Sequence, residues 1–240
     1  MTSDRRLRLW SAVVDEAGGE TVAIRHVCEV AVSVAGVDSA AIVVTLVATP
    51  RELLCASHRS ASELEELTLT LGEGPGVDAA TGGPVLVADL AEPESQGRWP
   101  AFAPAAVLVG VRAVFVLPLQ VGGIRLGVLD LYRARAGDIG RDQLADALML
   151  ADTACAVLLD GSPKDRAEQD SRWPDRSGPQ HPEVHQATGM ILAQLGVTAA
   201  VALIRLRAYA YSHDRRLRDV AADVVARRLR FAPGTDERGD

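Results

Sequence analysis

The chain has 240 residues, of which 48% are hydrophobic and 24% charged, with a formal net charge of −7; this predicts an ordinary water-soluble globular protein with one domain of about 150 residues and a smaller companion. No run of 18 or more apolar residues occurs, and the charged start Met1-Thr2-Ser3-Asp4-Arg5-Arg6 leads into no apolar stretch with a cleavage site, so neither a membrane span nor secretion is expected. Cys28, Cys55 and Cys155 are far apart and form no C-x-x-C pair, which excludes a disulfide framework and a zinc site and predicts free thiols in a reducing cytoplasm.

In chain order, Thr21 to Ala35 sets Val22, Val27, Val30, Ala31 and Val34 near helical spacing, and Gly36 suits the residue that closes the helix. Ala40 to Val47 is a β-branched run suited to a buried strand, and Leu53 to Ser57 follows as its hairpin partner after a turn at Pro50. Glu63, Glu65 and Glu66 cluster on one helix and read as a solvated face. Gly72-Glu73-Gly74-Pro75-Gly76 is a tight turn, and Pro84 to Asp89 a short strand. Ala113 to Val121 and Ile124 to Tyr132 flank Gly122-Gly123, the signature of a β-hairpin. Residues 141–159 form an amphipathic helix with Leu144, Leu148, Ala151, Cys155 and Leu158 on one stripe.

A first domain over residues 10–160 thus reads as mixed α/β. Residues 161–180, polar and rich in Pro, Gly and charge, read as a flexible linker. Residues 181–231 read as three helices with short turns. Val184, Ala187, Thr188, Ile191, Leu192 and Leu195 line the first, which Gly196 ends. Thr198 caps the second, with Ala202, Leu203, Leu206 and Ala210 on one face. Asp214 can cap the third, whose Leu217, Val220, Ala221, Val224 and Val225 turn inward. Residues 232–240 are expected to be a disordered tail.

Charge is unevenly placed. Residues 181–231 carry eight arginines against Glu183, Asp214, Asp219 and Asp223, so a basic segment sits in an acidic chain and can face a polyanion. The candidate set is Arg205, Arg207, Arg215, Arg216 and Arg218, with Tyr209, Tyr211 and His213 interleaved. Arginines take phosphates and aromatic planes take unpaired bases; the plainer reading is that Tyr209 packs inside and the arginines solubilise a small bundle. Arg227, Arg228 and Arg230 rank lower, because cations at a helix C-terminus also favour the macrodipole.

Other chemistry finds little support. The glycine-rich stretch 72–76 lacks the Gly-Lys-Ser/Thr of a phosphate loop, and Pro75 removes a backbone donor. His181 and His185 offer a metal only two ligands around Glu183, and Pro182 places His181 at the helix entrance. His58 and Cys55 are lone candidates for haem or bilin attachment, Cys28 and Cys155 have no adjoining histidine, and buried inert thiols are the expectation. No cofactor and no catalytic constellation is expected.

The segment with Ala187-x-Gly189-Met190-Ile191-Leu192, then Ala202-x-x-x-Leu206-Arg207-x-x-Ala210, then Leu217-x-x-Val220-Ala221 resembles the ANTAR domain, a three-helix RNA-binding module of bacterial antitermination regulators. Thr188 stands where that family often has lysine, which removes a phosphate contact. Gly72-Glu73-Gly74-Pro75-Gly76-Val77-Asp78-Ala79, Arg98-Trp99-Pro100-Ala101-Phe102, Gly110-Val111-Arg112-Ala113, Leu117-Pro118-Leu119 and Leu126-Gly127-Val128-Leu129-Asp130-Leu131-Tyr132 resemble a GAF domain of the kind paired with ANTAR in actinobacterial regulators. The resemblance implies an antiparallel GAF sheet flanked by helices, followed by an all-α ANTAR bundle. It also implies a cytoplasmic, non-enzymatic homodimer with a small-molecule ligand in the GAF domain. In such a regulator a signal controls dimerisation, and paired ANTAR domains bind hairpin loops in nascent RNA and block a competing terminator. Arg205, Arg207, Tyr211, His213, Arg215, Arg216 and Arg218 are then the RNA-binding residues. A sensing, dimerising or protein-interaction module without RNA binding is the other reading.

Overall fold

Strands apolar at nearly every position have to be covered on both faces, and this governs the first of two units. The computed structural model describes residues 2–45, 51–160 and 181–232, and these fall into one unit before residue 161 and one after residue 180. The proposed linker over 161–180, the turn at Pro50 and the tail from residue 233 lie outside the described residues.

In the first unit β1 (Ser39–Val44), β2 (Glu52–Ala56), β3 (Val85–Val87), β4 (Ala113–Val121) and β5 (Ile124–Arg133) make one antiparallel sheet in the order β2-β1-β5-β4-β3. Strand alternation divides its side chains between two cores. Ala40, Ile42, Phe115, Leu117, Leu129 and Leu131 face α1 (Thr2–Ala17), α2 (Ile24–Ala35) and α7 (Arg141–Asp160). Ala41, Val43, Val114, Val116, Val128 and Tyr132 face the other way. That second face is covered by α3 (Arg59–Leu71), α4 (Pro75–Thr81) and α6 (Phe102–Leu108), with the short α5 (Pro93–Arg98) before Trp99. Gly127 lets β1 and β5 close: a Cβ there would lie 1.9 Å from the Val43 carbonyl oxygen.

Helix α1 is the main element beyond the sequence reading. Leu9, Val13 and Ala17 are buried at four-residue spacing, the stripe that makes a helix amphipathic. Arg5 and Arg8 fasten it to α7 by ion pairs of 3.0 and 2.9 Å to the buried Asp146. On α7 the buried set is Ala147, Leu150, Ala151, Ala154 and Cys155, so the expected stripe is rotated by about one residue and Leu148 turns outward. Small residues are chosen inside because α2 and β4 both pack on this helix. Burying Leu150 contributes about 1.5–3 kcal/mol.

The second unit has α8 (Pro182–Leu195), α9 (Ala199–Ser212) and α10 (Leu217–Val225). Pro182 opens α8, Gly196 closes it in the left-handed region at φ 65°, and the Thr198 side chain accepts from the Val201 amide at the start of α9. Val184, Ala187, Ile191, Ala202, Leu206, Ala210, Leu217, Val220, Ala221 and Val224 form the centre. Leu192, expected inside, faces outward. Asp214 does not cap α10: it takes a left-handed φ of 51° in the turn, and Arg216 is the N-cap residue. The turn needs those extra residues because the Arg215 amide still bonds back to the Ala210 carbonyl to finish α9.

Candidate nucleic-acid interface and a buried ionic cluster

The basic residues of the second unit do not converge on one point. At about 100° per residue, Arg205 and Arg207 leave α9 on opposite sides of an outward apolar stripe. That stripe is Val201, Ile204 and Tyr211, with Tyr211 65% exposed. Ile204, which the sequence reading passed over, is 60% exposed; its spacing from Val201 and Tyr211 was the available signal. Arg205 stands apart from the turn that carries Arg215, Arg216 and Arg218.

Around that turn the aromatic residues are stacked on each other. The His213 ring lies flat on Tyr209 with centroids 3.9 Å apart, and Phe231 meets Tyr209 edge-on at 5.6 Å. His213 Nδ1 is 2.9 Å from the Tyr209 carbonyl, where a protonated Nδ1 caps the end of α9. One face of His213 is therefore occupied within the bundle. Arg215 is also engaged: it donates to Asp223 at 2.7 Å, and Arg228 pairs with the same carboxylate at 2.6 Å. The hydrogen bond from Arg215, then that from Arg228, holds the Asp223 carboxyl below its ordinary range. Arg218 lies 3.6 Å from Asp219, and Arg216 is exposed at the head of α10. Thr188 is buried and donates to the Val184 carbonyl at 2.7 Å, so the position where the family often has lysine belongs here to the interior.

The second feature lies on the covered face of the sheet. Glu65 of α3 is buried, contrary to its reading as part of a solvated run. It occupies the face of α3 that also carries Ala61, Leu64 and Thr68, a helical i, i+3, i+4, i+7 set that was legible in the sequence. Its Oε1 accepts from the Tyr132 hydroxyl at 2.5 Å and its Oε2 from Arg51 Nη2 at 3.2 Å. Asp130 Oδ2 is 3.7 Å from the same Arg51 nitrogen. Burial, and then Glu65 beside it, pushes the Asp130 carboxyl well above its ordinary value. Burial draws the Arg51 guanidinium down, but Glu65 and Asp130 outweigh it and hold it above its usual value. Among the described residues Arg51 Nε and Nη1 and Asp130 Oδ2 meet no hydrogen-bond partner, and each such buried group costs about 1–3 kcal/mol when left unmatched.

The glycine-rich stretch is a turn over residues 72–74, while Pro75 and Gly76, expected in the same turn, already open α4. Gly74 takes φ 129° with the Phe102 ring 3.1 Å from where a Cβ would stand. Glu73 accepts from the amides of Ala101 and Phe102 at 2.7 Å, and Asp78 accepts from Arg98 and from Trp99 Nε1 at 3.2 Å. The Gly-Glu-Gly-Pro-Gly and Arg-Trp-Pro-Ala-Phe motifs thus hold each other over the sheet. The three cysteines are free and buried. The neighbouring Cys55 and burial push the Cys28 thiol up, and burial raises Cys155, which suits inert thiols. Among the described residues no group of three or more His, Cys, Asp or Glu is placed to hold a metal, and no single helix is long and apolar enough to cross a membrane.

The GAF domain family matches residues 20–158, and the ANTAR domain family matches residues 180–225. Among solved structures, the GAF domain of a phosphoenolpyruvate-protein phosphotransferase from Coxiella burnetii is 14% identical, with 66% of this chain and 95% of that one covered and a TM-score of 0.48. The GAF domain of the Acinetobacter phosphoenolpyruvate-protein phosphotransferase is also 14% identical, covering 64% of this chain and 92% of that one at a TM-score of 0.48. No curated protein matches the chain.

Proposed function

The chain belongs to the GAF domain family and carries an ANTAR domain behind it, and from that premise we propose a cytoplasmic, signal-responsive regulator that binds hairpin loops in nascent RNA as a homodimer and acts by transcription antitermination. The observation that carries this is the ANTAR bundle itself: an apolar centre, with Arg207 and the exposed Tyr211 one turn apart on α9 and the exposed Arg216 and Arg218 at the start of α10. Arginines supply a salt-dependent phosphate term, and an exposed ring offers a stacking plane to an unpaired base. The GAF unit senses a small molecule and sets the pairing state through its helical layer, where Trp10 and Val14 of α1 and Leu148 and Leu159 of α7 face outward. Pairing would bring two bundles onto two loops of one transcript. The protein acts as a regulator with no catalytic step of its own.

Filter binding of the full chain to RNA with two paired hexaloop hairpins, at two salt concentrations, tests this. The expected result is tight, loop-dependent binding that weakens with salt, with sedimentation showing a dimer on the RNA. Weak binding that ignores loop sequence, or a monomer at all concentrations with and without RNA, sinks it. A second reading has one observation in its favour: Val201, Ile204 and Tyr211 form an apolar stripe on α9, which suits a bundle that pairs with protein. Dimerisation without RNA affinity would select it.

A further inference from the structure

The group under α3 and α4 lies outside the residues proposed to meet RNA, yet it holds the most deeply buried carboxyl side chain among the described residues of the sheet unit. Arg51, at the head of β2, is 10% exposed between Glu65 of α3 and Asp130 of β5, themselves 5% and 2% exposed. Buried donors nearly always find an acceptor, but among the described residues Arg51 Nε and Nη1 have no hydrogen-bond acceptor, and Asp130 Oδ2 beside them accepts no hydrogen bond. The backbone also comes unusually close: a Cβ on Gly76 would fall 2.7 Å from Arg51 Nη2 and 2.9 Å from Asp130 Oδ1.

A charge count says what chemistry fits. Two carboxyl groups share one guanidinium, and the groups facing Asp130 are Glu65, Arg51 and Tyr132. Glu65 already accepts from Arg51 and Tyr132, and burial with Glu65 beside it favours the protonated form of Asp130, in which the cluster is neutral with N–H donors to spare. Spare donors call for oxygen acceptors. A second uncompensated anion at this depth is unfavourable, so an incoming acid has to bring its proton with it. A doubly charged phosphate fits poorly; a weak monocarboxylic acid fits well.

We propose that Arg51 and Asp130 form a binding site for a small carboxylic acid on the covered face of the GAF sheet, Arg51 donating to the acid's oxygens and Asp130 sharing its proton. This rests on the sensor half of the proposed function and supplies the chemistry of its signal.

The full chain is titrated with acetate, lactate and inorganic phosphate at pH 5.5 and 7.5, following the arginine Nε–H signals by NMR, with hairpin-RNA binding measured on the same preparation. Acetate or lactate should shift one buried arginine signal saturably, and uptake of one proton should weaken binding up to about tenfold per pH unit as pH rises. Asp130→Asn, neutral like the protonated Asp130, should keep both the binding and that pH dependence, because the proton enters with the acid. Arg51→Lys retains the charge beside Glu65 but not Nε or Nη1, and should abolish saturable acetate binding, read by equilibrium dialysis because the arginine signal goes with the residue, in a protein that still folds and binds RNA. Gly76→Ala, which crowds the guanidinium, should weaken the acid without touching RNA. No saturable shift with either carboxylate, equal response to phosphate, or an unchanged response in Arg51→Lys overturns the proposal. Acid binding without RNA binding would instead remove the RNA reading and leave this site standing.

Discussion

The two units treat charge in opposite ways. The GAF unit buries Glu65, Asp130 and Asp146 and nearly buries Arg51, and there each polar atom has an assigned neighbour or a conspicuous lack of one. The ANTAR bundle buries no charged side chain among its described residues; its buried polar group, Thr188, satisfies itself on its own helix. Buried charge fixes geometry at high cost and is sensitive to every atom, whereas surface charge acts through numbers and salt. The proposed function asks the first unit to notice a small molecule and the second to meet a polyanion, and the two placements of charge suit those tasks.

The contrast breaks most visibly at Glu65. Glu65→Ala strips Arg51 and the Tyr132 hydroxyl of their acceptor, and removal of one buried partner destabilises by about 3–5 kcal/mol. Arg218→Ala, on the bundle surface, should change stability by about 0.5 kcal/mol or less. Urea unfolding of the two variants of the full chain measures both; equal midpoints would show that the buried cluster is energetically idle.

Legibility in the sequence follows the same division. The β4–β5 hairpin was readable because Gly122-Gly123 separates two largely apolar runs, and the bundle centre because its apolar residues recur at helical spacing. Helix α1 was not, since Arg5, Arg6 and Arg8 mask the stripe of Leu9, Val13 and Ala17. Glu65 was misread because its acidic neighbours suggested solvent, although Ala61, Leu64 and Thr68 placed it inward. Arg51 carried no local signal: Asp130 approaches it only through strand pairing across the sheet. The RNA candidates were legible as a composition, but a sequence does not show that Arg215 is taken by Asp223, or that Arg205 and Arg207 diverge.

A smaller effect is expected at Tyr211. If its ring stacks on a loop base, Tyr211→Ala should weaken hairpin binding by about 1–3 kcal/mol and change base preference, with the salt slope unaltered. The double variant Arg207→Ala with Arg216→Ala should flatten that slope by about 0.7 per lost contact on single strands. Arg125, which lies in the GAF hairpin and bonds to the Ala80 carbonyl, is the control whose loss should leave both unaltered. Wild-type affinity in the double variant would place the RNA elsewhere.

Asp130 sharpens the comparison through pH. Its folded-state value is raised by burial and Glu65, so the native state holds its proton after the unfolded chain has released it. Its contribution to stability is fully present below the ordinary aspartate value of about 4 and is lost as pH rises toward the folded value, by at most about 1.4 kcal/mol per pH unit. Asp130→Asn should remove that slope from its own unfolding free energy, so that the difference between wild type and variant changes with pH by that amount. A difference flat with pH would mean that Asp130 ionises freely in the folded protein.

The smallest effect tests whether the bundle's charges are as independent as surface position suggests. Asp223 holds Arg215 and Arg228 together, and its carboxyl is depressed by the Arg215 hydrogen bond first and the Arg228 bond second. A depressed carboxyl contributes stability above its unfolded value and loses it as pH falls through the folded one, but this group is solvated and the contribution is screened. Asp223→Asn should therefore cost little at neutral pH while releasing two guanidinium groups toward the turn. If RNA phosphates pass the α9–α10 edge, the released arginines should steepen the salt dependence by about 0.7 per added contact and tighten binding at low salt. Filter binding across a salt series reads both quantities. An unchanged slope in a folded variant would assign Arg215 and Arg228 to holding the turn, and leave recognition to Arg207, Arg216 and Arg218.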